Sequence, residues 1–129
     1  MNIAAVSKKF GISSDTLRYY ERVGIIPPVT RNEKGYRDFS EYDLNWVYFS
    51  KVMRNAGVSI ETLIEYGILF RQGREQTMDA RKDLLIEQRD LLIQRIEEMQ
   101  ETLDYLNYKI EKNPDHLKEF EKKLEKKNS

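Results

Sequence analysis

Apolar positions recur along this chain with a helical period almost from its first residue. In IAAVSKKF, residues 3–10, Ile3, Val6 and Phe10 fall on one helical face, and Gly11 supplies a permissive residue for a tight turn. Ser13 and Ser14 are N-cap candidates for a second helix, and Asp15 suits its positively polarised first turn. Gly24, Pro27 and Pro28 end that helix, so residues 3–24 read as a helix-turn-helix. In PPVTRNEKGYRDF, two short β-prone pieces, residues 29–30 and 36–39, flank the turn NEKG, which predicts a small hairpin, a wing.

A third helix is expected over SEYDLNWVYFSKVMRNAG, with Ser40 as cap, Glu41 and Asp43 in the first turn, and Gly57 as its stop. Its apolar residues form two stripes, Leu44, Val47, Val52 and Tyr42, Trp46, Phe49, Met53, which predicts burial around much of its circumference, Val52 included. Ser59 caps a further helix through Phe70, and Gly73 closes the compact part. From about residue 76 the pattern changes. Met78, Leu85, Leu92, Met99 and Leu106 recur every seven residues; four residues after each come Lys82, Arg89, Ile96, Leu103 and Ile110. A single long helix cannot bury such a stripe alone, so the heptads predict a coiled coil with a second copy of the chain, sealed by Leu85, Leu92, Ile96, Met99, Leu103, Leu106 and Ile110. Asn113 and Pro114 break that helix, and DHLKEFEKKLEKKNS is a polar tail able to form one last helix. The resulting division is 1–74, 75–112 and 113–129.

Composition narrows the function. The chain has 22 basic and 22 acidic residues among 129, so there is no global pull toward nucleic acid. The first 37 residues, however, hold seven Lys or Arg against three acids, a local excess of four positive charges and the footprint of a DNA-binding element. No cysteine is present, which excludes disulfides, thiolate metal sites and thiol redox chemistry. No run of about eighteen apolar residues suggests a membrane span, so a cytoplasmic protein without membrane partners is expected. The one histidine, His116, sits in the polar tail without other ligand residues at metal spacing. No phosphate loop, nucleophile elbow or metal motif points to an enzyme, and no cofactor is expected.

The second helix carries DTLRYYERVG, in which exposed polar residues of an ordinary helix would merely be solvated. In the recognition position of a helix-turn-helix, such residues lie against the major groove and phosphates. Ser13, Thr16, Arg18, Tyr19, Tyr20 and Arg22 are therefore candidate DNA contacts, although Leu17 and Tyr20 also have the spacing of inward-packing residues. The wing adds Arg31, Lys34, Tyr36 and Arg37, which would clamp neighbouring phosphates. Tyr42, Trp46, Phe49 and Val52 form a candidate effector pocket, beside the alternative that a stripe at helical spacing is core.

The order helix-turn-helix, wing, helix pair and long helix, together with TLRYYERVGIIPP, GYRDF and MRNAGVSIE, resembles the MerR family of bacterial transcription regulators over residues 1 to about 112. The resemblance implies a mostly α fold, a winged helix-turn-helix followed by a dimerisation helix that pairs as an antiparallel coiled coil. It implies a homodimer on palindromic double-stranded promoter DNA, with Thr16, Arg18, Tyr19, Tyr20, Arg31, Tyr36 and Arg37 facing the duplex. It also implies a mechanism: bending and untwisting the spacer so that RNA polymerase engages both promoter elements. A smooth bend costs on the order of 1–6 kcal/mol, so an effector must favour one dimer geometry by a comparable amount.

Within the family, KVMRNAGVSIETLIEY is similar to the subgroup responsive to aldehydes and other electrophiles, which carries a cysteine where this chain has Val52. The metal-sensing members also use cysteines, and the multidrug-sensing members append a large effector domain. A small-molecule effector therefore has no assigned chemistry here. Two other functions fit the same residues: an architectural dimer that bends DNA constitutively, and an adaptor whose coiled coil binds another protein.

Overall fold

The computed structural model describes residues 1–111 and 114–125. Among the described residues six helices follow in chain order: α1 (Ile3–Phe10), α2 (Ser14–Val23), α3 (Glu41–Asn55), α4 (Ile60–Gln72), α5 (Met78–Glu111) and α6 (Pro114–Leu124). Each of the first four starts on a side-chain cap. Asn2, Ser13, Ser40 and Ser59 accept a hydrogen bond from a backbone N–H three residues on, satisfying a donor that the helix itself leaves unpaired. At Ser40 the cap is reciprocal, because Asp43 also accepts from the Ser40 backbone N–H.

The chain divides into two compact units, Met1–Arg89 and Asp90–Ser129. The core of the first gathers Val6 and Phe10 of α1, Leu17 and Tyr20 of α2, Val47 of α3 and Leu63 of α4. Ile25, Ile26, Val29 and Phe39 from the segments around the wing and Val58 between α3 and α4 complete it. Full burial of each aliphatic side chain contributes roughly 1.5–3 kcal/mol. The composition change near residue 75 does not coincide with the end of this unit, since Arg81 and Gln88 in the first turns of α5 are still buried.

The wing is more sparing than a ladder. Among the described residues its β pairing is a single antiparallel bridge, Arg31 to Arg37. Backbone bonds from Asn32 N to Tyr36 O (2.9 Å) and from Asp38 N to Thr30 O (2.7 Å) flank it, and Asn32 Oδ1 accepts from the backbone of Lys34 (3.0 Å) and Tyr36 (3.1 Å), with Gly35 at φ +84° closing the turn. Phe39 N donates to Met1 O at 2.7 Å, which ties the far end of the wing to the start of α1.

In α3, burial is one-sided: Asp43, Val47 and Ser50 face the core, while Tyr42, Tyr48 and Val52 are exposed. The expectation that Val52 is buried is corrected, at 44% exposure. It lies five residues past Val47, about 140° around the helix from the buried stripe.

In the second unit, α5 continues to Glu111 and α6 lies against its last turns. The Phe120 ring meets Tyr105 edge-on at 6.3 Å, His116 meets Tyr108 at 5.2 Å, and Lys109 Nζ sits 3.7 Å from the Phe120 ring centre. The polar tail, expected to be able to form one last helix, forms α6, which turns Phe120 and His116 toward α5. The break expected at Asn113 and the last four residues of the tail lie outside the described residues. No described helix is long and apolar enough to cross a membrane.

Candidate nucleic-acid interface

The face of α2 follows from its caps and its two inward residues. With Leu17 and Tyr20 in the core, Arg18, Tyr19 and Arg22 are turned outward and exposed. Tyr20 is only 7% exposed, so its expected place among the outward residues is corrected: at i+3 from Leu17 it shares the buried stripe. Ser13 and Thr16 form the start of this face. The Ser13 hydroxyl accepts from Thr16 N at 3.1 Å and donates to Thr16 Oγ1 at 2.8 Å, so Ser13 serves α2 first. Arg18 pairs with Asp15 at 3.0 Å in water, a contact worth at most about 1 kcal/mol and easily exchanged for a phosphate. The Arg22 guanidinium lies 5.3 Å from the Tyr19 ring centre, which holds both side chains along the outer face.

The wing approaches this face through a residue that the sequence reading did not single out. Glu21 of α2 accepts from Arg37 Nε at 2.8 Å, lies 3.9 Å from Arg31, and takes the Val29 backbone N–H on its other oxygen. The result is a cleft of about 430 Å³ in which Arg18 of α2 meets Arg31, Asn32, Tyr36 and Arg37 of the wing, with Asn2 and Ile3 of α1 on its wall. Lys34 is exposed at the turn outside it. Three guanidinium groups and a phenol around one cleft form a surface that attracts an extended polyanion and offers donors to phosphate oxygens.

Asp43 anchors the base of the wing. It is buried, and its carboxylate accepts from the backbone of Ser40 (2.8 Å) and Thr30 (3.1 Å) and from the Ser40 hydroxyl (3.0 Å). Burial alone would raise its pKa, but these hydrogen bonds outweigh it and hold the carboxyl below the ordinary 3.8.

Tyr42, Trp46 and Phe49 do line a groove, of about 250 Å³, completed by Asn45 and by Tyr66 and Phe70 of α4. Trp46 stands edge-on to Phe70 at 4.9 Å, and Phe49 lies 5.1 Å from Tyr66. Val52 is not part of its lining, being farther along α3. The α4 residues had a readable signal, an i, i+4 aromatic pair. Phe70 in turn lies 5.3 Å from the guanidinium of Arg81, a buried cation that also donates to Thr77 Oγ1 (3.1 Å) and to the Arg74 carbonyl. Along α5, Leu85, Ile96, Met99, Leu103, Leu106 and Ile110 are exposed and Leu92 is half-buried. Among the described residues, no three His, Asp or Glu side chains converge as metal ligands would.

Comparison with known proteins agrees with this geometry. Residues 1–66 match the family model described as MerR HTH family regulatory protein. The HTH-type transcriptional regulator AdhR of Bacillus subtilis (strain 168) is 56% identical over 94 residues, 73% of this chain and 66% of AdhR, just under two thirds of that protein's length. A MerR family transcriptional regulator from Listeria monocytogenes has a similar structure, with a TM-score of 0.83 at 50% identity over 96% of this chain and 93% of that one. HiNmlR, a MerR family regulator lacking the sensor domain and solved bound to promoter DNA, gives a TM-score of 0.78 at 32% identity over 84% of this chain and 86% of its own. The chain belongs to the MerR family of helix-turn-helix transcriptional regulators.

Proposed function

We propose that this regulator binds a palindromic promoter element as a homodimer in the cytoplasm and acts on transcription by distorting the spacer DNA for RNA polymerase. The observation that carries the reading is the cleft joining Arg18 to Arg31, Tyr36 and Arg37, with Thr16, Tyr19 and Arg22 continuing along α2 and Lys34 beyond the turn. Recognition-helix side chains reach base edges and phosphates, and the wing grips the adjacent backbone. HiNmlR, bound to promoter DNA, supports the same use of this fold.

Dimerisation rests on α5. Its exposed apolar stripe is unburied in one chain, and Lys82 and Arg89 interrupt the seam in its N-terminal half only. In a parallel pair each cation would face its own copy. An antiparallel pair sets the N-terminal half of one α5 against the apolar C-terminal half of the other, so Lys82 and Arg89 do not meet their own copies and like charges in the seam are avoided. The residues 75–112 are thus the dimerisation element, and the aromatic groove of α3 and α4 is the place where an apolar effector would act on the DNA-binding part. An architectural dimer that bends DNA without an effector is the alternative.

Selection of duplexes from a random library by the purified protein tests the reading. A palindromic consensus, bound by two chains as measured by sedimentation, is expected. Recovery of no preferred sequence would overturn it, and a screen for small molecules that change promoter transcription separates sensor from architectural dimer.

A further inference from the structure

We infer that Glu21 is a positioning residue for DNA recognition and that the two wing arginines it holds have different tasks, Arg31 contacting phosphate and Arg37 fixing the wing. The inference rests on the DNA-binding reading above.

Arg31 and Arg37 are the bridged pair of the wing, so their side chains leave the hairpin on the same side. Like charges directly opposite one another across a bridge repel, and a single bridge has little pairing energy to set against that. An anion between them removes the conflict. Glu21 is that anion: it approaches both guanidinium groups through Oε1 while Oε2 accepts from Val29 N, so one carboxylate fixes the segment at three points. An acid on the recognition helix would be expected to repel DNA, yet this one is largely covered, at 13% exposure. Its charge is spent on the arginines, leaving the trio with one net positive charge.

The two arginines are not equivalent. Arg37 makes a close bond at 2.8 Å and is 23% exposed; Arg31 is 3.9 Å away and 47% exposed, and its other contact is the Gly35 carbonyl. A phosphate entering the cleft can recruit Arg31 without uncovering Glu21, whereas recruiting Arg37 would strip Glu21 Oε1 of its one close hydrogen bond beneath the wing. Arg37 therefore stays with Glu21.

The test measures binding to two probes, the duplex selected by the wild-type protein and a random-sequence duplex of equal length, across a salt series. Arg31→Ala should flatten the slope of log affinity against log salt by about one unit on both probes, the loss of one phosphate contact. Arg37→Ala should leave that slope unchanged while lowering affinity for the selected duplex. Glu21→Gln should lower affinity for the selected duplex at least tenfold while affinity for the random duplex holds or rises, because the trio's net charge becomes more positive. Equal slope changes for the two arginine variants would overturn the division of tasks. A parallel loss on both probes in Glu21→Gln, tracking its melting temperature, would reduce Glu21 to a structural residue. If wild-type protein prefers no duplex, it is the DNA-binding reading that fails.

Discussion

Gly67 of α4 lies directly against the carbonyl oxygen of Gly24, the residue that ends the recognition helix; a Cβ at position 67 would overlap that oxygen. Gly24 itself has φ +88°, a conformation in which L side chains are strained. Arg71, one turn further along α4, donates to the same carbonyl at 3.1 Å. The end of α2 is thereby seated on α4. Gly67→Ala should destabilise the protein by roughly 1–3 kcal/mol, since the clash is with backbone rather than a mobile side chain. Urea denaturation checks this; Arg71→Ala, which removes only an exposed hydrogen bond, should cost less. A Gly67→Ala protein as stable as wild type would mean that α4 can shift away freely.

Adjacent tyrosines of α2 should behave in opposite ways. Tyr20→Ala removes a core ring and is expected to cost about 3–5 kcal/mol. Tyr19 is exposed, and Tyr19→Ala should change stability by no more than about 0.5 kcal/mol while weakening binding to the selected duplex. Thermal melts and binding titrations on both variants decide the matter, and a stable Tyr20→Ala would contradict its burial.

The anchoring of the wing by Asp43 predicts a pH dependence. Its folded pKa is below its unfolded value of 3.8, so its contribution is fully present above that pH and is lost as pH falls through the folded pKa. Asp43→Asn gives up charge-assisted bonds to Ser40 and Thr30 and should be destabilised by roughly 1–3 kcal/mol at neutral pH. The gap between wild type and variant should stay constant from pH 7 to 5 and narrow only below 3.8. A gap already closing at pH 5 would assign the effect to another group.

The seam predicts the oligomeric state. Leu92→Asp and Leu106→Asp each place a carboxylate where the second copy would bury it, and both should shift the protein toward monomer in sedimentation experiments. Two fully dimeric variants would show that another face of α5 mediates pairing.

A chain without cysteine offers electrophiles no thiolate. Aldehydes and thiol oxidants at modest concentration are expected to leave promoter transcription by the purified protein unchanged, with no mass shift. Direct activation with a covalent adduct would point to another nucleophile.

The local elements were legible because they are set by local chemistry. The serine caps at Ser13, Ser40 and Ser59, the Asn32 and Gly35 turn, the glycine stops and the heptads of α5 each depend on residues a few positions apart, and the LRYYERVG block carried the family resemblance. Spacing offered Tyr20 as an inward-packing residue but did not decide that against a DNA contact, and it could not choose between the two stripes of α3: Tyr20 went inward and Val52 outward. Nor could it show pairings distant in sequence. Glu21 reads as one of two acids beside two arginines on α2 until the fold brings Arg37, sixteen residues away, within 2.8 Å. Gly67 reads as a weak spot in α4 until Gly24 lies against it. Spacing along one element fixes that element's own geometry, while the chemistry between elements depends on approach distances that exist only once the core has closed.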